Sequence, residues 1–198
     1  APLSQADTGW QPVQETIRKS EKDPRQYQAI HLDNGMIVLL VSDPQTVKSL
    51  SALVVPVGSL QDPEEHQGLA HFLEHMTLMG SKNYPQPDSL AEFLKMHGGS
   101  HNASTAPYRT AFYLEVENDA LDGAVDRLAD AIASPLLDKK YADRERNAVN
   151  AELTMARTRD GMRMAQVSAE TINPAHPAAH FSGGNLETLS DKPGKPVL

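Results

Sequence analysis

Along residues 27–32 apolar and polar side chains alternate, as in a strand buried on one face. Asp33-Asn34-Gly35 comes next, and an apolar run returns over 36–41. The spacing predicts a β-hairpin turning on an Asn-Gly pair, because both residues tolerate positive φ. Further strands are expected over 51–57, stopping at Gly58, and over 100–105 and 110–117. The stretch 100–105 is small and polar, which suits a sheet edge better than a sheet centre. Between these strands the period changes. Phe72, Leu73, Met76, Leu78 and Met79 mark a largely apolar helix after Gly68. Residues 90–97 form a second helix, capped by Asp88 or Ser89 and closed at Gly98-Gly99. Leu121, Ala124, Val125, Leu128 and Ile132 share one stripe of a helix over 121–133, which Pro135 ends. The run from Lys139, free of Gly and Pro, predicts a long helix reaching about Arg159. A shorter helix beyond Gly161 stops before Asn173-Pro174. Runs of strands followed by runs of helices define an α+β class: a mainly antiparallel mixed sheet with helices packed chiefly on one face. Residues 1–24 read as an extended polar lead-in, 25–198 as one domain, and 181–198 within it as loop.

The first helix carries His71-Phe72-Leu73-Glu74-His75. Residues four apart fall on nearly one helical face, so both imidazoles can converge on one ion with Glu74 beside them. Zinc-assisted hydrolysis needs that combination: neutral nitrogens to hold the metal and a carboxylate to take a proton from water. His-x-x-Glu-His is also the inverted form of the His-Glu-x-x-His motif of zinc peptidases. On so apolar a helix two histidines and a glutamate would be costly without partners. A catalytic zinc takes a third protein ligand and leaves its fourth position open. With no cysteine in the chain, that ligand must be His, Asp or Glu. Glu145 and Glu152 share a stripe of the long helix, two turns apart, and His97, His101, His176 and His180 are the other candidates. His176 and His180 again lie four apart, but Pro174 and Pro177 spoil the helix they would need, and no glutamate accompanies them. His66 has no partner at ligand spacing and reads as a loop histidine. Spacing alone leaves the third ligand open.

Composition narrows the classes further. A net charge of −8 and no basic patch with interleaved aromatics argue against nucleic acid as a partner. No apolar run approaches the roughly 18–20 residues of a membrane span. Without cysteine there is neither a disulfide nor thiol catalysis. A chain of 198 residues is long enough for one substantial core.

The motif and the chain around it resemble the pitrilysin (insulinase) family of zinc metallopeptidases. That family's signature is His-x-x-Glu-His and then a glutamate after a gap of seventy-six residues, and the gap between His75 and Glu152 has that length. The likeness runs from about Trp10 to the last residue. It implies one zinc ion held by His71, His75 and Glu152, with Glu74 as general base and Glu145 supporting the site from behind. It also implies that Ser100, His101, Asn102, Ala103 and Ser104 lie on an edge strand to which a substrate backbone adds, so that main-chain hydrogen bonds give affinity without strict sequence demands. The activity implied is zinc-dependent endopeptidase action on peptides and small polypeptides, in the periplasm. Family members are much longer than this chain, so the resemblance implies an amino-terminal zinc-peptidase domain, truncated, whose further partners are the missing C-terminal domains of its own parent. The alternative is a catalytically silent zinc- or peptide-binding module that lacks the half needed for turnover.

Overall fold

The computed structural model describes residues 9–198, arranged as two compact units that divide between Val47 and Lys48. In the first unit, β1 (Trp10–Pro12), β2 (Gln26–Leu32) and β3 (Ile37–Ser42) form an antiparallel sheet in that order. The hairpin turns where the Asn-Gly pair places it, with Gly35 at φ 86°. Of the stretch read as an extended lead-in, residues 1–8 lie outside the described residues, and Trp10–Pro12 pairs with Ile30, His31 and Leu32 as an edge strand. Three residues are too few to show an alternation, so β1 had no period to betray it.

The second unit holds β4 (Lys48–Val55), α1 (Leu69–Thr77), α2 (Ser89–Met96), β5 (Ser100–Thr105), β6 (Thr110–Glu117), α3 (Leu121–Ala133), α4 (Ala142–Ala156) and α5 (Asp160–Ala169). The class is α+β, and within it the strands divide into two three-stranded sheets with every strand pair antiparallel. In the second sheet the order is β4-β6-β5, so β6 is central and β5 forms an edge. Alternation on β6 is strict: Phe112, Leu114 and Val116 are buried, while Tyr113 and Glu117 are exposed. The buried set packs against Leu90 and Leu94 of α2 and Ala124 and Leu128 of α3, which puts the helices on one face. Each such side chain contributes about 1.5–3 kcal/mol by leaving water.

A smaller core fixes the part that matters for chemistry. Phe72 and Met76 of α1 meet Ala142 and Val149 of α4, together with Leu189. The two helices that carry the candidate site are thus packed directly on each other.

Several boundaries differ from the sequence reading, β4 among them, which also ends at Val55 and not at residue 57. β4 begins at Lys48, before the expected start at residue 51, because Lys48 and Ser49 pair with Glu117 and Val116 and the Lys48 ammonium lies 2.9 Å from Glu115. The long helix expected to reach Arg159 stops at Ala156, and α5 starts at Asp160 after an extended Arg159. The break thus falls a few residues before Gly161, where the sequence placed it. Thr158 donates its hydroxyl to the Met155 carbonyl at 2.8 Å, a local bond that competes with continued helix. At α2, Asp88 occupies the cap position without a side-chain cap bond. Its other end closes as the glycines indicate: Gly98 is left-handed at φ 62°, and the Gly99 N–H donates to the Leu94 carbonyl at 2.7 Å.

Candidate metal centre

Helix α1 begins where the chain turns sharply at Gly68, φ 89°. The buried Asp62 carboxylate accepts the Gly68 and Ala70 N–H groups, both at 2.8 Å, and so satisfies donors the helix leaves open at its start. Burial pushes the Asp62 carboxyl above its ordinary pKa, against the pull of those N–H groups. Gly68 also lies against Gly184, and a Cβ on Gly68 would fall 2.2 Å from the Gly184 Cα. That contact brings loop 181–185 onto the start of α1, where the Phe181 N–H donates to the Gln67 side chain at 2.7 Å.

On α1, His71 and His75 stand edge to face, ring centroids 5.0 Å apart at 77°. Glu152, two turns along α4 from Glu145, reaches across to both. Its carboxylate oxygens lie 3.4 Å from His71 Nε2 and 3.6 Å from His75 Nε2. The three ligand atoms all fall within 4.8 Å of one another, and among the described residues no other His, Cys, Asp and Glu group does so. A tetrahedral ion bonded at about 2.1 Å separates its ligand atoms by about 3.4 Å, so the two Glu152 distances fit a zinc-sized cation.

The other ring nitrogens settle the tautomers. His71 Nδ1 lies 2.7 Å from the Gly183 carbonyl, and His75 Nδ1 lies 3.2 Å from Glu145 Oε2. A carbonyl and a carboxylate can only accept, so each Nδ1 carries the proton and donates it. In a neutral ring each Nε2 is then the lone pair on the side facing Glu152, the form a metal requires. Glu145 is buried, and its second oxygen accepts from Arg144 Nε at 2.8 Å. One carboxylate thus holds a histidine and an arginine at once.

Glu74, 9% exposed, accepts the Thr105 hydroxyl on Oε2 at 2.5 Å. Thr105 is the last residue of β5, so the edge strand ends against the motif helix. Along β5 the side chains of Ser100, Asn102 and Ser104 are exposed, whereas His101 and Ala103 are half-buried on the opposite face. His101 stands among Leu78, Leu90, Phe112, Leu114 and Leu128, and burial lowers its pKa. Three other histidines have partners away from this group. His97 stacks on Phe93 at 4.6 Å, and His176 Nδ1 accepts the Ala178 N–H at 3.1 Å. His66, read from sequence as a loop histidine, is buried, with its ring nitrogens 3.3 and 3.0 Å from the carbonyls of Thr188 and Lys195. It fastens the segment just past loop 181–185. Sequence reasoning missed Asp62, Thr105 and Gly183. The Gly183-Gly184 pair was the one available signal, since paired glycines mark close backbone approach.

In this α+β scaffold two imidazoles from one helix and a carboxylate from another form a group that could hold a metal ion. The profile of Insulinase (Peptidase family M16) matches residues 37–175, and the chain belongs to that family. It is 89% identical over 197 residues to Protease 3 of Escherichia coli (strain K12), covering 100% of this chain and 20% of that protein. Against insulin-degrading enzyme of Homo sapiens the identity is 44% over 179 residues, 90% of this chain and 18% of that protein. A solved structure described as the crystal structure of pitrilysin superposes with a TM-score of 0.94 at 88% identity, covering 96% of this chain and 20% of that one. The chain therefore spans about a fifth of the length of these relatives. No helix among the described residues is long and apolar enough to cross a membrane.

Proposed function

We propose that the chain is the zinc-bearing part of a longer endopeptidase that cleaves peptides and small polypeptides. The observation that carries this reading is the paired geometry: each Nδ1 lies against an acceptor, and the three side chains bring ligand atoms together within 4.8 Å of one another. His71, His75 and Glu152 would hold the ion. Bound there, zinc would supply Lewis acidity, of the kind that brings the pKa of water toward about 7 and polarises a carbonyl.

The chain's own groups do the rest. Glu74 takes the proton from the attacking water and returns it to the leaving amine. Glu145 fixes the His75 ring and keeps its Nε2 free. The outer edge of β5, over residues 100–104, receives the substrate backbone as an added strand, which draws affinity from main-chain groups. Of the five residues there, Ser100, Asn102 and Ser104 offer exposed side chains, while His101 and Ala103 contribute main chain. Periplasmic residence is part of the same proposal, resting on likeness alone. The remaining four-fifths of the relatives' length is the proposed partner, and a chain without it would hold zinc but turn over little.

The test is Glu74→Gln in the full-length enzyme, read with a fluorogenic peptide and by metal analysis. Turnover should fall by at least about a hundredfold, the lower range for a lost general base, with one zinc per chain retained. Unchanged turnover would remove Glu74 from the mechanism.

A further inference from the structure

Glu74 has two carboxylate oxygens, and only one of them can face a reacting water. A glutamate side chain is free to spin about its last bond unless something fixes the carboxylate plane, because that torsion is broad and roughly two-fold. In this fold Oε2 is occupied by the Thr105 hydroxyl at 2.5 Å, while Glu74 itself is almost fully buried. Thr105 in turn is held by its backbone. It pairs with Thr110 across β5 and β6, at the short turn joining the two strands, and the neighbouring Ala106 N–H donates to the Arg109 carbonyl at 2.8 Å. The buried Thr110 hydroxyl ties that turn to the Val57 carbonyl at 2.9 Å. The hydroxyl that meets Glu74 therefore comes from a rigid corner of the sheet.

We infer that Thr105 is a positioning residue for the peptidase reaction: its hydroxyl fixes the carboxylate plane of Glu74 so that Oε1 is the oxygen presented for proton transfer. This rests on the proposed role of Glu74 as general base. Among the described residues the Thr105 hydroxyl bonds Glu74, so its side chain acts through Glu74. Its place at the end of β5 adds a second consequence. The strand proposed to receive substrate is the strand that aims the base, so both are referenced to one backbone. Aligning a reacting group and its catalyst is where misplacement by about 1 Å costs on the order of a hundredfold in rate.

The experiment uses the full-length zinc-loaded enzyme with Thr105→Val, an isostere that keeps the β-branched shape without the hydroxyl, and Thr105→Ser, which keeps the hydroxyl. The Val variant should lose about 10- to 100-fold in kcat, the scale of a lost orienting contact. Its KM should stay within about twofold and its zinc at one per chain, because neither strand edge nor metal is altered. Thr105→Ser should recover most of the turnover. Wild-type kcat in Thr105→Val overturns the inference, as does a loss that Ser shares equally or that appears in KM or zinc content. Thermal unfolding checks the fold, and Thr105→Ala replaces Val with the same expected pattern if that variant unfolds. Glu74→Gln run alongside separates the two readings. If it keeps its turnover, the general-base reading fails; if it is dead while Thr105→Val is unimpaired, only the positioning role fails.

Discussion

At the residue scale, the centre depends on groups that fix the ligands as much as on the ligands. Spacing could place His71 and His75 on one face, but it could not choose among Glu145, Glu152 and several histidines. The choice is a matter of which side chain crosses from α4 to α1, and no local pattern encodes that crossing. Glu145 and Glu152 share a helical stripe yet do different things: Glu152 faces both Nε2 atoms, while Glu145 faces His75 Nδ1 and Arg144. Their substitutions should differ accordingly. Glu152→Ala removes a ligand and should abolish stoichiometric zinc, read by metal analysis after dialysis; tight zinc in that variant would exclude Glu152 as the third ligand. Glu145→Gln keeps an acceptor for the His75 proton but loses the charge that holds Arg144. Zinc affinity should weaken by about 10- to 100-fold, the usual cost of losing an outer partner, with the ion still bound at saturation. Competition with a zinc chelator measures the shift.

At the element scale, legibility in the sequence tracks how local each signal is. The Asn-Gly hairpin, the helix over Leu121–Ala133 and the β5 edge were legible because turn chemistry, a 3.6-residue stripe and polarity act within a few residues. Strand β1, the partition into two sheets and the exact place of the break between α4 and α5 were not, because pairing partners and a single Thr158 bond leave no periodic trace. Asp62 belongs with the second group. It lies outside α1 in sequence, six and eight residues from the two N–H groups it accepts, so it matches no capping pattern. Replacing it with Ala leaves two donors at the start of the motif helix unsatisfied and should cost about 1–3 kcal/mol. In a chain of this size each kcal/mol moves the melting temperature by about 2–4 °C. The measurement is thermal unfolding in chelator, so that zinc does not mask it. A pH series adds a sign. Because the folded pKa of Asp62 is raised, its protonated form is favoured by folding. Stability from this group is full below the unfolded carboxyl value and declines as pH rises through the raised one. The wild type should therefore lose ground to Asp62→Asn over that window, and a flat difference would exclude the linkage.

At the scale of the whole molecule, the candidate metal ties together parts of the chain that are far apart in sequence. Two of the proposed ligands come from α1 and one from α4, with the Gly183 carbonyl steadying His71 from a third place and His66 fastening the segment beyond it. In the absence of an ion, these elements are held by a small core of Phe72, Met76, Ala142, Val149 and Leu189. Glu152 itself, 48% exposed along its side chain, is poorly fixed by packing. A ligand that binds only the folded arrangement stabilises it by mass action, about 2.7 kcal/mol at a hundredfold excess over its dissociation constant. Adding zinc to the chelator-treated chain should raise its melting temperature by about 5–10 °C, from that free energy and the scaling for a chain of this length. The rise should vanish in Glu152→Ala but persist in Glu74→Gln, because the first removes a ligand and the second only the proposed base. It should also appear in the isolated 198-residue chain, whether or not that chain cleaves peptides, since every proposed ligand lies within it. Equal melting temperatures with and without zinc would show that His71, His75 and Glu152, close as they are, do not form a metal site.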